Sequence, residues 1–327
     1  MTLLTTVVAT GSAIGLYNHF QKDKNSSSVD PSMVKECSHF KNQKRFGGPK
    51  PPRKYTLSSI QDVSPDTKRL RFTIPSNTNV NETHKNVNTE SEFQIAPIGI
   101  VIGVIPPFTK GVFPVIRPYT PIECGSIDGH DYMDLIIKKN TFGKTSMSAH
   151  LHDLEVGETM RFGGPINTFD YSKISDRMIA GGSGITPMIQ VINDFVKSIS
   201  ASNSMKDSDK QSFPTLKLLY ANKTKEDILL KDYLDSLQKQ YPDNIKIKYI
   251  VDKPDTNNSF ETGRIDKEKI QKYMPNPQLS DKCMLFVCGP PGMMSSVCGE
   301  KPTFFKQGAV TGILKEMGYT NNNVYKL

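Results

Sequence analysis

Cysteine is scarce and badly placed for metal or disulfide chemistry. The 327-residue chain has five, at 37, 124, 283, 288 and 298, an odd count without a C-x-x-C pair. Neither a disulfide framework nor a zinc site is indicated, and a reducing compartment is expected for the folded body. Acidic residues are outnumbered, 33 against 41 basic, for a formal charge of +8 and a pI near 9.0. That balance suits nucleic acid, an anionic surface or an acidic protein partner. Aromatics are thin where the positive charge is densest: Lys41, Lys44, Arg45, Lys50, Arg53 and Lys54 have only Phe46 and Tyr55 among or beside them. A nucleic-acid module would interleave stacking rings there, so nucleic acid is excluded. No G-x-G-x-x-G, internal repeat or Ser-His-acid set appears, and His150 and His152 stand two apart and share no helix face. No metal site is expected.

A long apolar run is also missing, except for a marginal one. Thr2–Phe20 carries no Asp, Glu, Lys or Arg, and charges begin at Lys22 and Lys24. A span of about 20 apolar residues crosses a bilayer. The segment lacks the basic start and cleavage site of a secretory signal and the arginines of a matrix presequence. We read 1–20 as a membrane anchor with its positive flank in the cytosol, a disordered tail being the alternative. The polar stretch 21–53, punctuated by Gly and Pro, reads as a linker.

From residue 54 the pattern is of short strands: Tyr55–Leu57, Lys68–Ile74, Ile98–Ile105, Val112–Ile116, Met133–Ile137 and Thr159–Phe162, with Gly163-Gly164-Pro165 closing the series. Asn77–Glu92 reads as a surface loop, and Ser148–Leu154 as one or two helical turns. Close spacing with Pro and Gly between strands predicts a small antiparallel β-barrel over 54–170. Over 171–327 strands alternate with helices: strands Arg177–Ala180, Leu216–Tyr220, Ile245–Val251 and Met284–Cys288, helices Pro187–Ile199, Lys225–Tyr241, Asp266–Tyr273 and Pro290 onward. This predicts a doubly wound parallel α/β domain, with 198–212 as a loop insertion. The expected class is therefore α+β in two domains.

Four stretches carry chemistry. In Arg117-Pro118-Tyr119-Thr120-Pro121 alternation puts Arg117 and Tyr119 on one face of an extended segment that the prolines stiffen. The set offers a guanidinium for phosphate, a ring for stacking and a hydroxyl for a polar ring atom. An edge strand with a surface arginine would look the same. Gly181-Gly182-Ser183-Gly184-Ile185-Thr186-Pro187-Met188 joins a strand to a helix, where backbone N–H groups can approach a pyrophosphate; spacing alone also allows a plain tight turn. Cys288-Gly289-Pro290-Pro291-Gly292-Met293-Met294 follows another strand of the same half, so both loops should face one crevice at the strands' carboxyl ends. Cys288 by itself reads equally as a small buried hydrophobe. Asp252, ending a strand, is a candidate ribose acceptor or a solvated surface acid. Gly143-Lys144-Thr145-Ser146-Met147-Ser148 precedes a helical turn in the barrel half and suits a second pyrophosphate, which implies two dinucleotides.

In this order and spacing, RPYTP, GKTSMS, GGSGITPM and CGPPGMM resemble the NADH–cytochrome b5 reductase family of the ferredoxin-reductase superfamily, over about Tyr55–Leu327. The tail, from Gly299-Glu300-Lys301 to Val324-Tyr325-Lys326-Leu327, is most similar to fungal mitochondrial outer-membrane forms. The resemblance implies FAD on the barrel, with Arg117 and Pro118 at its pyrophosphate strand, Tyr119 beside the isoalloxazine and Thr120 near the flavin N5. Ile136, Lys138, Met147 and Ser148 match other FAD contacts, and Thr186 a further one. It implies NADH at Gly182, Gly184, Cys288, Gly289 and Pro290, with Asp252 favouring NADH over NADPH. Thr120 and Cys288 are the implied catalytic positions. The implied activity takes a hydride from NADH and passes single electrons to cytochrome b5 or a similar small acidic haem protein. A monomer at the mitochondrial outer membrane is expected, the endoplasmic reticulum being second. Rival readings are an NADH reductase for quinone or ferric acceptors, and a non-catalytic dinucleotide-binding protein. The chain departs from the family pattern at Val101, where many members have His, at Asn140 for Tyr, in two extra residues between Lys144 and Met147, and at Gly164-Pro165-Ile166-Asn167.

Overall fold

The computed structural model describes residues 51–73, 99–106, 109, 113–127, 130–139, 146–167, 169, 177–203, 213–253, 260–274, 276–277, 284–303 and 306–327. The expected anchor, nearly all of the linker, the loop 77–92, Asn140, Gly143–Thr145 and most of the loop 198–212 lie outside them. No helix among the described residues is long and apolar enough to cross a membrane. The chain forms two compact units that divide between Phe169 and Asp170, with the short piece Val63–Pro65 grouped with the second.

The first unit is a seven-stranded sheet ordered β4-β3-β7-β1-β2-β6-β5. Its strands are β1 (Arg53–Ser64), β2 (Thr67–Thr73), β3 (Gly99–Ile105), β4 (Val115–Tyr119), β5 (Glu123–Ile127), β6 (His130–Lys138) and β7 (Thr159–Asn167), with helix α1 (Met147–His152) between the last two. The end strands β4 and β5 are consecutive in the chain. Four Cα steps from Tyr119 to Glu123 span at most about 15 Å, whereas a flat seven-stranded sheet would hold its ends about 29 Å apart. The sheet must therefore curl, which makes it barrel-like. Alternation supplies the core: Leu70 and Phe72 of β2 stand opposite Leu135 and Met133 of β6, and Tyr55 opposite Met160. Phe162 meets the rings of Tyr55 and Phe72 edge-on at 5.5 and 5.0 Å. On the other face of β6, Asp134 is fully buried beneath Arg69 and Arg71, whose Nε atoms each lie 2.7 Å from it.

Several strands exceed their expected lengths, β1 and β7 by the most, and β5 was not expected. β1 has twelve residues instead of three, because its second half, Ser58–Ser64, is mostly polar and its two apolar residues, Ile60 and Val63, stand three apart and do not alternate. β7 runs on through Gly163-Gly164-Pro165 to Asn167, with Gly164 at φ +107°, where a side chain is strained.

His152 anchors α1. It is buried, and its Nε2 donates to Ile137 O at 2.7 Å. Burial lowers its pKa below the ordinary value, so the fold disfavours the proton. The stability contribution should be complete above about pH 6.5, the unfolded-state value. It should then fall as pH drops through the folded-state pKa, below which both states are protonated. Melting curves of the wild type and His152→Gln between pH 7.5 and 5 should diverge in slope; parallel curves would show that His152 is not the titrating group.

The second unit is a six-stranded sheet ordered β11-β10-β9-β8-β12-β13, parallel at every pairing. It comprises β8 (Arg177–Gly181), β9 (Leu216–Asn222), β10 (Ile245–Val251), β11 (Glu261–Thr262), β12 (Leu285–Cys288) and β13 (Val324–Lys326). The helices are α2 (Ile185–Asn203), α3 (Lys231–Gln240), α4 (Lys267–Tyr273), α5 (Pro291–Val297) and α6 (Gly312–Glu316). Strands buried on both faces read as apolar runs, as in the fully buried Met178-Ile179-Ala180. Sheet order reverses at β8, which continues to β9 on one side and meets β12 on the other. The helix expected over Lys225–Tyr241 begins only at Lys231. Leu230 has φ 58°, a left-handed conformation that cannot continue a helix, and Asp227 instead closes a turn on the N–H and hydroxyl of Thr224. β11, β13 and α6 were not legible as elements.

Candidate functional site

In the barrel unit, Arg117, Pro118 and Tyr119 lie on β4, at the end of the sheet order, where a proline costs no ladder bond on its outer side. Arg117 and Tyr119 share the face that β3 occupies with Gly103 and Val101. A Cβ on Gly103 would stand 3.2 Å from the Tyr119 ring, so glycine lets that ring close over β3. Burial pushes the Tyr119 phenol up and keeps it protonated, Arg117 opposing weakly. The Arg117 guanidinium is exposed; Nη1 donates to Ile116 O at 2.8 Å, and no carboxylate pairs with it among the described residues. Thr120 follows, half-buried.

Helix α1 packs against both β4 and β6, which brings the three predicted barrel segments together. Ser146 caps it, its Oγ accepting from Ala149 N at 3.2 Å, and Ser148 is half-buried beside it. Met147 is 2% exposed and its side chain belongs to the barrel core, so a cofactor would meet its backbone. On β6, Ile136 is buried, and Lys138 is ion-paired to Asp66 at 3.0 Å. Val101 is likewise part of the core.

In the α/β unit, β8 ends in a 3₁₀ turn, Gly182–Gly184, that leads directly into α2. Gly182 has φ +52°, and its carbonyl accepts from the Tyr220 hydroxyl at 3.0 Å. Thr186 Oγ1 donates to Ser183 O at 3.2 Å. Cys288 pairs with Ala180 across β12 and β8, so the loop Cys288–Pro290 emerges beside the glycine turn. The two loops touch backbone to backbone: a Cβ on Gly184 would stand 2.4 Å from Cys288 O, and one on Gly181 2.5 Å from Met293 Sδ. Gly289 is in the same position against Met293. The loops thus close on each other and on the Met293 side chain, while Gly182, with no atom within 4 Å of a Cβ there, faces open space at the reversal of strand order, ahead of the N-terminus of a 19-residue helix. Burial pushes the Cys288 thiol up to about 12. That shift favours the thiol over the thiolate a nucleophile would need. Asp252 is exposed just beyond β10, its N–H donating to Asn222 O at 3.1 Å.

The sequence reading missed Lys301. It is half-buried, its pKa is lowered by burial, and Cys288 is among the groups acting on it. A lysine in an irregular loop gives no periodic or motif signal.

Comparison with known proteins supports both halves. Residues 87–171 match the oxidoreductase FAD-binding domain and residues 178–299 the oxidoreductase NAD-binding domain. The chain is 33% identical to NADH-cytochrome b5 reductase 2 of Coccidioides immitis over 95% of its length and 86% of that protein. It is 38% identical to NADH-cytochrome b5 reductase 2-A of Vanderwaltozyma polyspora over 83% of its length and 82% of that protein. Among solved structures, it resembles the cytochrome b5 reductase domain of Ulva prolifera nitrate reductase, with a TM-score of 0.59 at 25% identity, covering 84% of this chain and 97% of that one. With this identity over most of both chains and a family match in each half, this chain belongs to the NADH–cytochrome b5 reductase family of FAD- and NAD-binding oxidoreductases.

Proposed function

We propose that this oxidoreductase delivers electrons from NADH, through FAD, to cytochrome b5 or a similar small acidic haem protein. The observation that carries the NADH half is the close packing of Gly184 on Cys288 O, which holds the two glycine loops side by side at the strand-order reversal with Gly182 facing open space. When bound, FAD supplies the conversion of a hydride into two single-electron transfers. The residues of this chain supply binding, alignment and electrostatics.

Arg117 is free of carboxylate partners among the described residues and suits the FAD pyrophosphate. Tyr119, a neutral phenol lying over Gly103, suits the edge of a flat ring, and Thr120 a polar ring atom. Pro118, Ile136, Lys138, Met147 and Ser148 complete the FAD set, which we assign to 54–170. Gly182, Gly184, Thr186, Cys288, Gly289, Pro290 and Asp252 are the cofactor contacts of 171–327. The protonated Cys288 would border the nicotinamide, excluding water without attacking it. A net charge of +8 favours encounter with an acidic acceptor in a salt-sensitive manner.

Arg117→Ala should weaken FAD binding about tenfold to a hundredfold by removing a charge-assisted phosphate contact. Thr120→Val should stay yellow and be reduced more slowly. Flavin titration of the apoprotein decides the first role, and an Arg117 variant with wild-type FAD affinity removes it. NADH-driven reduction of cytochrome b5, compared with quinone and ferric acceptors, tests the electron route.

We further propose residues 1–20 as the anchor of a monomer at the mitochondrial outer membrane, joined to the catalytic body by 21–53. Deleting 1–20 should release the protein from the membrane fraction with NADH–ferricyanide turnover unchanged. A truncated chain that still pelleted after a salt wash would end that assignment; release by salt alone would point to the basic linker.

A further inference from the structure

Lys326, on β13 at the end of the sheet order, is only 1% exposed. Lysines are almost never fully buried unless paired, and among the described residues no carboxylate pairs with this one. Its Nζ donates instead to two carbonyls, Ala309 O at 2.7 Å and Glu300 O at 3.3 Å. Burial lowers its pKa. A cation is costly to bury, and what this one gathers is two limbs of a single loop. Gln307 bonds the backbone of the same residue as another strand would. Its Oε1 accepts from Lys326 N at 2.7 Å, and its Nε2 donates to Lys326 O at 2.9 Å. All three partners belong to the loop between α5 and α6, whose ends are joined by Thr311 N donating to Cys298 O at 3.0 Å. A Cβ on Gly299, at φ +83°, would stand 3.2 Å from Ala309 O and 3.4 Å from Lys326 Nζ, so glycine lets the loop close around the ammonium.

This clasp reaches the site through β12. Lys326 stands opposite Val287, and Leu327 N donates to Val287 O at 2.9 Å. Cys288 comes next, with β8 and its glycine turn on the other side of β12. The strand end that presents Cys288 is therefore held between the Gly184 contact and β13, and β13 is held from outside by Lys326 and Gln307.

We propose that Lys326 and Gln307 are positioning residues for hydride transfer from NADH to FAD: by clasping the loop 299–311 to β13 they fix the end of β12, and with it Cys288, at the nicotinamide end of the site. This rests on the NADH reading of the Cys288 loop.

The test compares flavin reduction at saturating NADH with ADP-ribose binding, both on the full-length, flavin-loaded protein. Lys326→Met keeps an unbranched stem and removes the ammonium. ADP-ribose, which lacks nicotinamide, should bind within about twofold of wild type. Reduction should slow about tenfold or more, because small displacements at a reacting centre are costly. A variant that melts at a lower temperature yet is reduced within about twofold of the wild-type rate would overturn the proposal and leave the clasp a purely structural device. Should Lys326→Met yield no folded protein, Gln307→Leu decides, since it opens the clasp and keeps the ammonium. Slowed reduction with ADP-ribose binding retained upholds the role, and an unchanged rate ends it. Wild-type protein that binds no ADP-ribose and whose flavin NADH does not bleach would instead refute the underlying NADH reading.

Discussion

Gly184→Ala should abolish NADH-driven flavin reduction while leaving the protein yellow. The added Cβ would stand 2.4 Å from Cys288 O, 2.6 Å from its carbonyl carbon and 2.8 Å from Gly289 N. Backbone atoms cannot rotate away as a side-chain tip can, so the two loops that form the cradle must separate. Overpacking in a well-packed site costs about 1–3 kcal/mol, and more where backbone must move. On the proposed NADH assignment, that cost falls on the geometry of the nucleotide site. Binding of NAD⁺ and ADP-ribose should weaken on the order of a hundredfold or more, whereas FAD, assigned to the barrel, should be retained. Gly182→Ala is the internal control. No atom lies within 4 Å of a Cβ there, and the only obstacle is φ +52°, a backbone penalty of about 1–2 kcal/mol. Its effect should be clearly milder. If the two alanine variants bind ADP-ribose equally well, the close approach of the loops is not what makes the cradle.

Asp252→Ala should reverse, or nearly reverse, the choice between NADH and NADPH. On the ribose assignment proposed above, the carboxylate would accept from the ribose hydroxyls and would repel a 2′-phosphate that also occupies its hydrogen-bonding position. Its exposure tempers the electrostatic part, so a shift in relative preference of roughly tenfold to a hundredfold is expected. Lys253 adjoins Asp252, and its N–H donates to Lys223 O at 3.3 Å, so the backbones of two lysines flank Asp252 and their cations would deepen the switch if they reach the 2′-phosphate. The kcat/KM values for both nucleotides, in wild type and variant, decide it. An NADH/NADPH ratio that moves by less than about twofold would falsify the ribose assignment and leave Asp252 a solvated acid.

Each of these sites joins features of different legibility. The strand-turn-helix setting of Gly181–Met188 is local: the apolar run, the glycines and Pro187 in the first turn of α2 all lie within a dozen residues. Asp252 could be placed after a strand because β10 alternates strongly enough to be bounded. The contact that makes Gly184 critical joins residues about a hundred positions apart, and no periodicity reports it.

The sequence by itself determined the two halves and the antiparallel and parallel character of their sheets. These depend on side-chain alternation and on backbone freedom at glycine and proline, which act over a few residues. Tertiary structure decided what depends on pairing between distant segments. Curling of the sheet follows from strand order, which sets β4 and β5 at its two ends. The exposed half of β1 and the three-residue β13 are strands because their backbones find partners, whatever their side chains. Leu230, with nothing unusual in its surroundings in sequence, is turned left-handed and shortens a helix by a turn and more. Asn222 reads in the sequence as an ordinary strand-end polar residue. Only packing shows it to be a buried amide beside the Tyr220 hydroxyl, because burial and hydrogen-bond partners are properties of the neighbours that folding supplies.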